Sequence, residues 1–105
     1  MTVYTVLYPE GEGKKFDADY YCHKHLPMVK QQLADVCLGI SCELGVLGIP
    51  SLGSAPYRAI GYIFATNADD LRAGMRQYGK LWAEDCANFT DIQPIGFIGE
   101  MLDCE

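Results

Sequence analysis

Basic charge is scarce in this chain. Eight Lys and Arg stand against fourteen Asp and Glu in 105 residues, for a net charge of −6 at neutral pH. The cations are scattered, with only Lys14-Lys15 adjacent, so the electrostatic footprint of a nucleic-acid or anionic-membrane surface is missing. No apolar run approaches the roughly 18 residues that a membrane span needs. Met1-Thr2-Val3-Tyr4 has no basic n-region and passes straight into a strand-like stretch, so it is not read as a signal peptide. The five cysteines (Cys22, Cys37, Cys42, Cys86 and Cys104) are odd in number and form no C-x-x-C. That argues against zinc and disulfide frameworks and for reduced thiols in the cytoplasm. Nucleophile elbow, P-loop and dinucleotide fingerprint are all lacking, and no cofactor is expected. There are two histidines, His23 and His25. H-x-H places both rings on one side only in a strand, and no third ligand follows at a convincing spacing, so no metal site is expected.

What the chain does have is apolar residues, 50% of the total, with seven Tyr, four Phe and one Trp. Composition and length describe one packed domain spanning 1–105. Thr2 to Tyr8 reads as a strand and Pro9 to Lys15 as a loop. Asp17 is the predicted N-cap of a helix that Phe16 staples at its entry. Pro27 is expected to end or kink that helix near His25-Leu26, since the residue before a proline avoids helical angles. A second helical piece then runs from Met28 to Asp35, and Gly39 stops it. Alternation predicts strands over Ile40–Leu47 and Tyr57–Ala65, with a Gly/Pro/Ser loop between them. Asn67 or Thr66 caps a long helix whose apolar face is Leu71, Met75, Tyr78 and Trp82. A turn at Asn88–Asp91 precedes a last strand, Ile92–Met101. The order β-α-β-β-α-β is the ferredoxin-like α+β arrangement, a four-stranded antiparallel sheet with helices on one face.

Such a sheet leaves its second face bare, and that face should be polar if water covers it. The strands offer no polar face. The first has Val3, Thr5 and Leu7 on one side and Tyr4, Val6 and Tyr8 on the other, and Tyr57–Ala65 is apolar on both sides. Packing against an identical sheet about a two-fold removes the exposed patch. The expectation is a homodimer, an α+β barrel made of two sheets.

Several short motifs then fall in order. Phe16-Asp17-x-x-Tyr20-Tyr21-x-x-x-His25-x-Pro27, Ala55-Pro56-Tyr57, Asn88-Phe89-Thr90-Asp91 and Ile98-Gly99-Glu100 resemble the EthD family, named for ethyl tert-butyl ether degradation. The resemblance runs from Thr2 to about Leu102 and leaves the tail Asp103-Cys104-Glu105 outside. It implies the dimeric α+β barrel fold. Barrel relatives include polyketide dehydratases and cyclases, decarboxylases, lactone isomerases, cofactor-free monooxygenases and haem binders, so the resemblance implies small-molecule handling without choosing a reaction.

His25 stands at the family's histidine position. Imidazole titrates near neutrality and suits proton transfer; the plainer alternative is a ring that caps the helix break. Tyr21, four residues earlier, shares a helical face with it and either orients the imidazole, bonds a substrate carbonyl or simply packs. Asp85, three residues after Trp82, is either a solvated helix end or an acid that polarises His25. Tyr62, Phe64, Tyr78 and Trp82 are candidates to line an apolar substrate pocket between sheet and helices, against ordinary core packing. Tyr20 is expected in the core and His23 at the surface. Two functions compete: a cofactor-free lyase, isomerase or monooxygenase acting on a small apolar, aromatic or polyketide-like compound, and a non-catalytic module that binds or delivers such a molecule. Haem binding is a third, resting on the single histidine.

Overall fold

The strand-forming alternation is realised at four places in the computed structural model, which describes residues 1–11 and 14–105. Of the expected Pro9–Lys15 loop, Glu12 and Gly13 lie outside the described residues. Strands β1 (Thr2–Pro9), β2 (Cys37–Leu44), β3 (Tyr57–Ala65) and β4 (Ile95–Glu100) form one sheet in the order β2-β3-β1-β4, every neighbouring pair antiparallel. This is the ferredoxin-like α+β fold expected from the element order. β1 is central, and Val3, Thr5, Val6 and Tyr8 are all buried along it.

The first helix corrects one expectation. α1 (Ala18–Tyr20), a π-helical turn (Tyr21–His25) and α2 (Leu26–Leu33) continue into one another. Asp17 caps the start, its side chain accepting from the Tyr20 N–H at 3.1 Å. Leu26 keeps helical angles (φ −62°, ψ −42°), and its N–H donates to the Tyr21 carbonyl. Pro27 therefore neither breaks nor ends the helix. A proline is excluded from a regular helix by its missing N–H and by a clash with the carbonyl four residues back. The preceding π turn bonds five residues back and is wider, which relieves that clash.

Other boundaries shift for local reasons. The helix stops at Leu33 rather than at Gly39, because Ala34 takes a positive φ of 51°. A 3-10 turn (Ala34–Val36) follows, and Gly39 falls inside β2 at a register shift. β2 ends at Leu44, three residues short of expectation. At Gly45 a Cβ would collide with the Tyr57 carbonyl and Ala55, and Val46 beyond it is exposed. β4 starts at Ile95, after Pro94, which has no N–H to give a ladder. α3 (Ala68–Asp85) begins as expected at Asn67, whose side chain accepts from the Asp70 N–H at 2.8 Å.

Cross-strand register divides the sheet into two faces. Tyr4, Val6 and Tyr8 stand opposite Ile63, Gly61 and Ala59, and this set meets the helices. Val3, Thr5 and Leu7 stand opposite Phe64, Tyr62 and Ile60 on the other face. Tyr62 and Phe64 thus point away from the helices, not inward. The period of two is right and its phase is reversed: the helix-facing set of β3 is Ala59, Gly61, Ile63 and Ala65, all buried. Small residues there let the Tyr21 ring reach the sheet. β4 adds Ile95 and Phe97 to the outer face, more than half exposed at 56% and 57%.

Gly61 is the tightest of these contacts, because a Cβ would overlap the Tyr21 hydroxyl. Gly61→Ala is expected to destabilise the fold by about 1–3 kcal/mol through overpacking, read as a lowered urea midpoint at unchanged slope.

Candidate functional site

The π turn decides which side chains meet. An extra residue in the turn brings positions five apart to one side of the helix. Tyr20 and His25 are such a pair, and both reach the end of α3. The Tyr20 hydroxyl donates to Asp85 Oδ1 at 2.8 Å, and His25 Nδ1 lies 2.8 Å from Asp85 Oδ2. Asn88 Nδ2 donates to the same Oδ1 at 2.9 Å from the 3-10 turn Cys86–Asn88. Asp85 therefore gathers three donors from two segments far apart in sequence.

Aromatic packing seats the imidazole. Tyr21 stacks on His25 with ring centroids 5.5 Å apart and planes at 15°. Phe89, fully buried, lies 4.7 Å from His25 and 5.0 Å from Tyr21. Tyr8 closes the cluster edge-on to Tyr21 at 5.3 Å. His25 itself is 5% exposed. His23 is exposed and bonds within its own helix, its Nδ1 3.0 Å from the Asp19 carbonyl and from its carboxylate.

These surroundings set the charges. Burial pushes the His25 imidazole below its ordinary value, against the hydrogen bond and charge of Asp85, which act the other way. Partial burial works to raise the Asp85 carboxyl. The hydrogen bonds from His25, Asn88 and Tyr20 outweigh it and hold the acid below its usual range. The resulting pair is a neutral imidazole donating Nδ1–H to a carboxylate. Among the described residues Nε2 has no hydrogen-bond partner, and no buried side-chain nitrogen or oxygen is left unsatisfied. Nε2 is therefore not sealed into the protein.

His25 is one of the side chains that line a cavity of about 270 Å³ between sheet and helices. Tyr4, Tyr8, Tyr21, His25 and Trp82 form its aromatic part, and Met75, Gly79 and Cys86 contribute from α3 and just beyond it. Burial raises the phenols of Tyr4, Tyr8 and Tyr21, so they stay protonated. The Cys86 thiol is also pushed up, by burial, which makes it a poor nucleophile. The Trp82 Nε1–H donates to Gln32 Oε1 at 2.5 Å.

Three of the seven residues singled out in the sequence, His25, Tyr21 and Trp82, line this cavity, and Asp85 stands directly behind His25. The other three lie elsewhere. Tyr62 and Phe64 are on the far face of the sheet, where the Tyr62 hydroxyl donates to Glu43 at 2.6 Å. Tyr78 stacks on Trp82 at 6.4 Å but faces a second groove between α2 and α3, beside Gln32 and Gln77. Sequence reasoning missed the site role of Tyr20, expected in the core, and of Asn88 and Phe89, which enter only as a turn and as part of a family motif. The π turn that recruits Tyr20 has no signature in the sequence.

Known structures place this geometry. An EthD-like protein from Ralstonia eutropha JMP134 superimposes with a TM-score of 0.88 at 35% identity, over 94% of this chain and 89% of its own. The chain belongs to the EthD family. An EthD family protein from Bacillus halodurans C-125 has a TM-score of 0.69 at 20% identity, over 97% of this chain and 99% of its own. A protein from Arabidopsis thaliana has 0.66 at 8%, over 100% and 99%; at these identities the likeness is one of fold. Comparisons with protein-family models and with curated proteins gave no match. No helix among the described residues is long and apolar enough to cross a membrane.

The charge state of this EthD-family site makes stability depend on pH in a definite direction. Because the folded His25 has a depressed pKa, the unfolded chain takes up its proton more readily. Stability is greatest above the ordinary imidazole value of 6.5 and falls as the pH drops through and below it. Asp85, also depressed, adds a second loss as the pH falls below its ordinary 3.8. Urea midpoints measured from pH 8 to 3 are expected to decline in these two windows, and His25→Asn to flatten the first.

Proposed function

We propose that this EthD-family protein binds a small apolar carbonyl compound in the His25 cavity and moves a proton on it without a cofactor. The observation that carries the reading is the 2.8 Å bond between His25 Nδ1 and Asp85, which leaves Nε2 unpartnered on a ring that lines an apolar cavity. The bond fixes the tautomer. With the proton on Nδ1, the Nε2 lone pair is available as a general base. When Nε2 takes a proton, the imidazolium that forms is compensated by the carboxylate behind it. Asp85 is a positioning residue in this scheme: it keeps its charge and holds the ring.

The depressed pKa of His25 favours the base role, because the ring is neutral at pH 7. A protonated phenol such as Tyr4 on the same cavity supplies a donor for the carbonyl oxygen on which charge develops. Abstraction of a proton next to a carbonyl fits this set, as in an isomerisation or the loss of water. Asn88 and Tyr20 keep the Asp85 carboxylate aimed at His25.

The working unit in this reading is a homodimer joined through the outer sheet face. Ile95 and Phe97 there are more than half exposed beside Phe64 and Ile60. A contiguous apolar face of this kind is one that monomers rarely leave in water. The five free thiols fit a reducing compartment, the cytosol.

Two measurements test these statements. On a substrate found by screening ketones and other carbonyl compounds, His25→Asn is expected to lower kcat by about 10²- to 10⁴-fold. The wild-type rate should fall on the acid side with an apparent pKa below 6.5. A wild-type protein that binds such compounds and returns them unchanged is instead a carrier. For the assembly, light scattering at micromolar concentration should give twice the chain mass of 11.6 kDa, and Phe97→Asp should give the monomer mass.

A further inference from the structure

Two glycines interrupt α3, and only one has a packing reason. A Cβ at Gly74 would collide with the Leu33 side chain, so that glycine lets α2 and α3 approach. A Cβ at Gly79 would meet no atom within 4 Å. Glycine is the least favourable residue in a helix interior after proline, and α3 continues for six residues beyond Gly79. Nothing in the packing of the chain itself explains why alanine does not stand there.

The site of the glycine supplies a reason. Met75, Gly79, Trp82, Ala83 and Cys86 recur at i, i+4, i+7, i+8 and i+11, which is one helical face, and all five line the His25 cavity. Gly79 is the middle of that stripe. Its missing side chain leaves the α3 wall flat between the Trp82 indole and Met75, and any larger residue there projects into the cavity.

The rest of the lining limits what lies against that wall. No Lys or Arg lines the cavity among the described residues. The nearest carboxylate, Asp85, already accepts from Tyr20, His25 and Asn88. A carboxylate or phosphate taken inside would be a buried anion without a counter-charge, which is costly. Four aromatic side chains, Tyr4, Tyr8, Tyr21 and Trp82, surround the space. A volume of about 270 Å³ is at the small end of ligand sites, which run from about 300 to 1,000 Å³. That suits a compact ring compound rather than a drug-sized molecule.

We infer that Gly79 is the specificity-determining residue of this site, and that its flat wall receives an uncharged, compact aromatic carbonyl compound. The inference rests on the reading of this cavity as the substrate site and adds to it the charge, the size and the residue that sets them. The ring lies along the α3 backbone at Gly79, and the carbonyl side faces His25.

Acetophenone and benzoate are a near-isosteric neutral and anionic pair with which to test this. Binding is read by ¹H–¹⁵N NMR from the indole cross-peak of Trp82, the sole tryptophan. Acetophenone is expected to shift that peak saturably in the wild type and to bind at least about tenfold more tightly than benzoate. Gly79→Ala is expected to raise Tm by a few degrees, because helix propensity improves, while weakening acetophenone by several-fold. Gly79→Leu should weaken it by more than about tenfold, with the His25 titration unchanged as a sign that the site is intact. Should Gly79→Leu fail to fold, Gly79→Ala decides: tighter folding with weaker binding supports the inference, and unchanged or tighter binding overturns it. Benzoate binding equal to acetophenone overturns it, as does a wild type that shows no saturable shift with millimolar acetophenone. The base role fails separately. A His25→Asn protein that binds acetophenone normally and turns over a screened substrate at the wild-type rate removes proton transfer and leaves Gly79 in place.

Discussion

One carboxylate ties this site together. Asp85 ends the long helix and accepts from Tyr20 and His25, about sixty residues earlier in the chain, and from Asn88 just beyond it. The bond to His25 fixes the tautomer, and with it which nitrogen keeps a free lone pair. Two opposed tendencies act on the imidazole. Burial favours the neutral ring, and the carboxylate favours the charged one. Burial wins at rest, and the carboxylate remains in place to stabilise the cation when a proton arrives. That is how a buried base stays free to react without losing the means to become charged.

The cavity owes its room to small residues on one wall. On the sheet side Gly61 is taken up by the Tyr21 hydroxyl, which packs against it, and larger residues, Tyr4, Val6, Tyr8 and Ile63, line the space. On α3, Gly79 and Ala83 hold back the opposite wall. The large aromatics are then gathered at one end around Phe89, where they support the imidazole instead of filling the space. A core of this composition ordinarily closes on itself at crystal-like density. Here Gly79 keeps part of it open at a cost in helix propensity.

Much of the fold was legible from alternation and caps. β3 has the predicted bounds, α3 begins at its predicted cap, and the β-α-β-β-α-β order yields the expected sheet. Pairing of His25 with Asp85 was open as one of two readings of each residue, and the contact joins them. The misses have physical causes. Pro27 is incompatible with a regular helix, and a π turn before it changes the hydrogen-bonding distance on which that incompatibility depends. Tyr62 and Phe64 follow the right period with the wrong phase, since alternation says that two faces exist and not which one the helices cover. Tyr78 shares a stripe with Trp82 but lies a few tens of degrees around the helix, enough to face a different groove.

The chain's own chemistry, read in order, determined which segments are strands and helices, and that the two central strands of their sheet would carry apolar side chains on both faces. Local propensity and short-range periodicity carry that information, because they depend on neighbours a few residues apart. Tertiary structure alone decided that Tyr20, His25 and Asn88 converge on Asp85, that the inward face of β3 is the one with Gly61, and that Gly79 faces a cavity rather than a neighbour. Those outcomes depend on register and on helix-to-sheet packing, where residues distant in sequence share a few ångströms and no local pattern records the meeting.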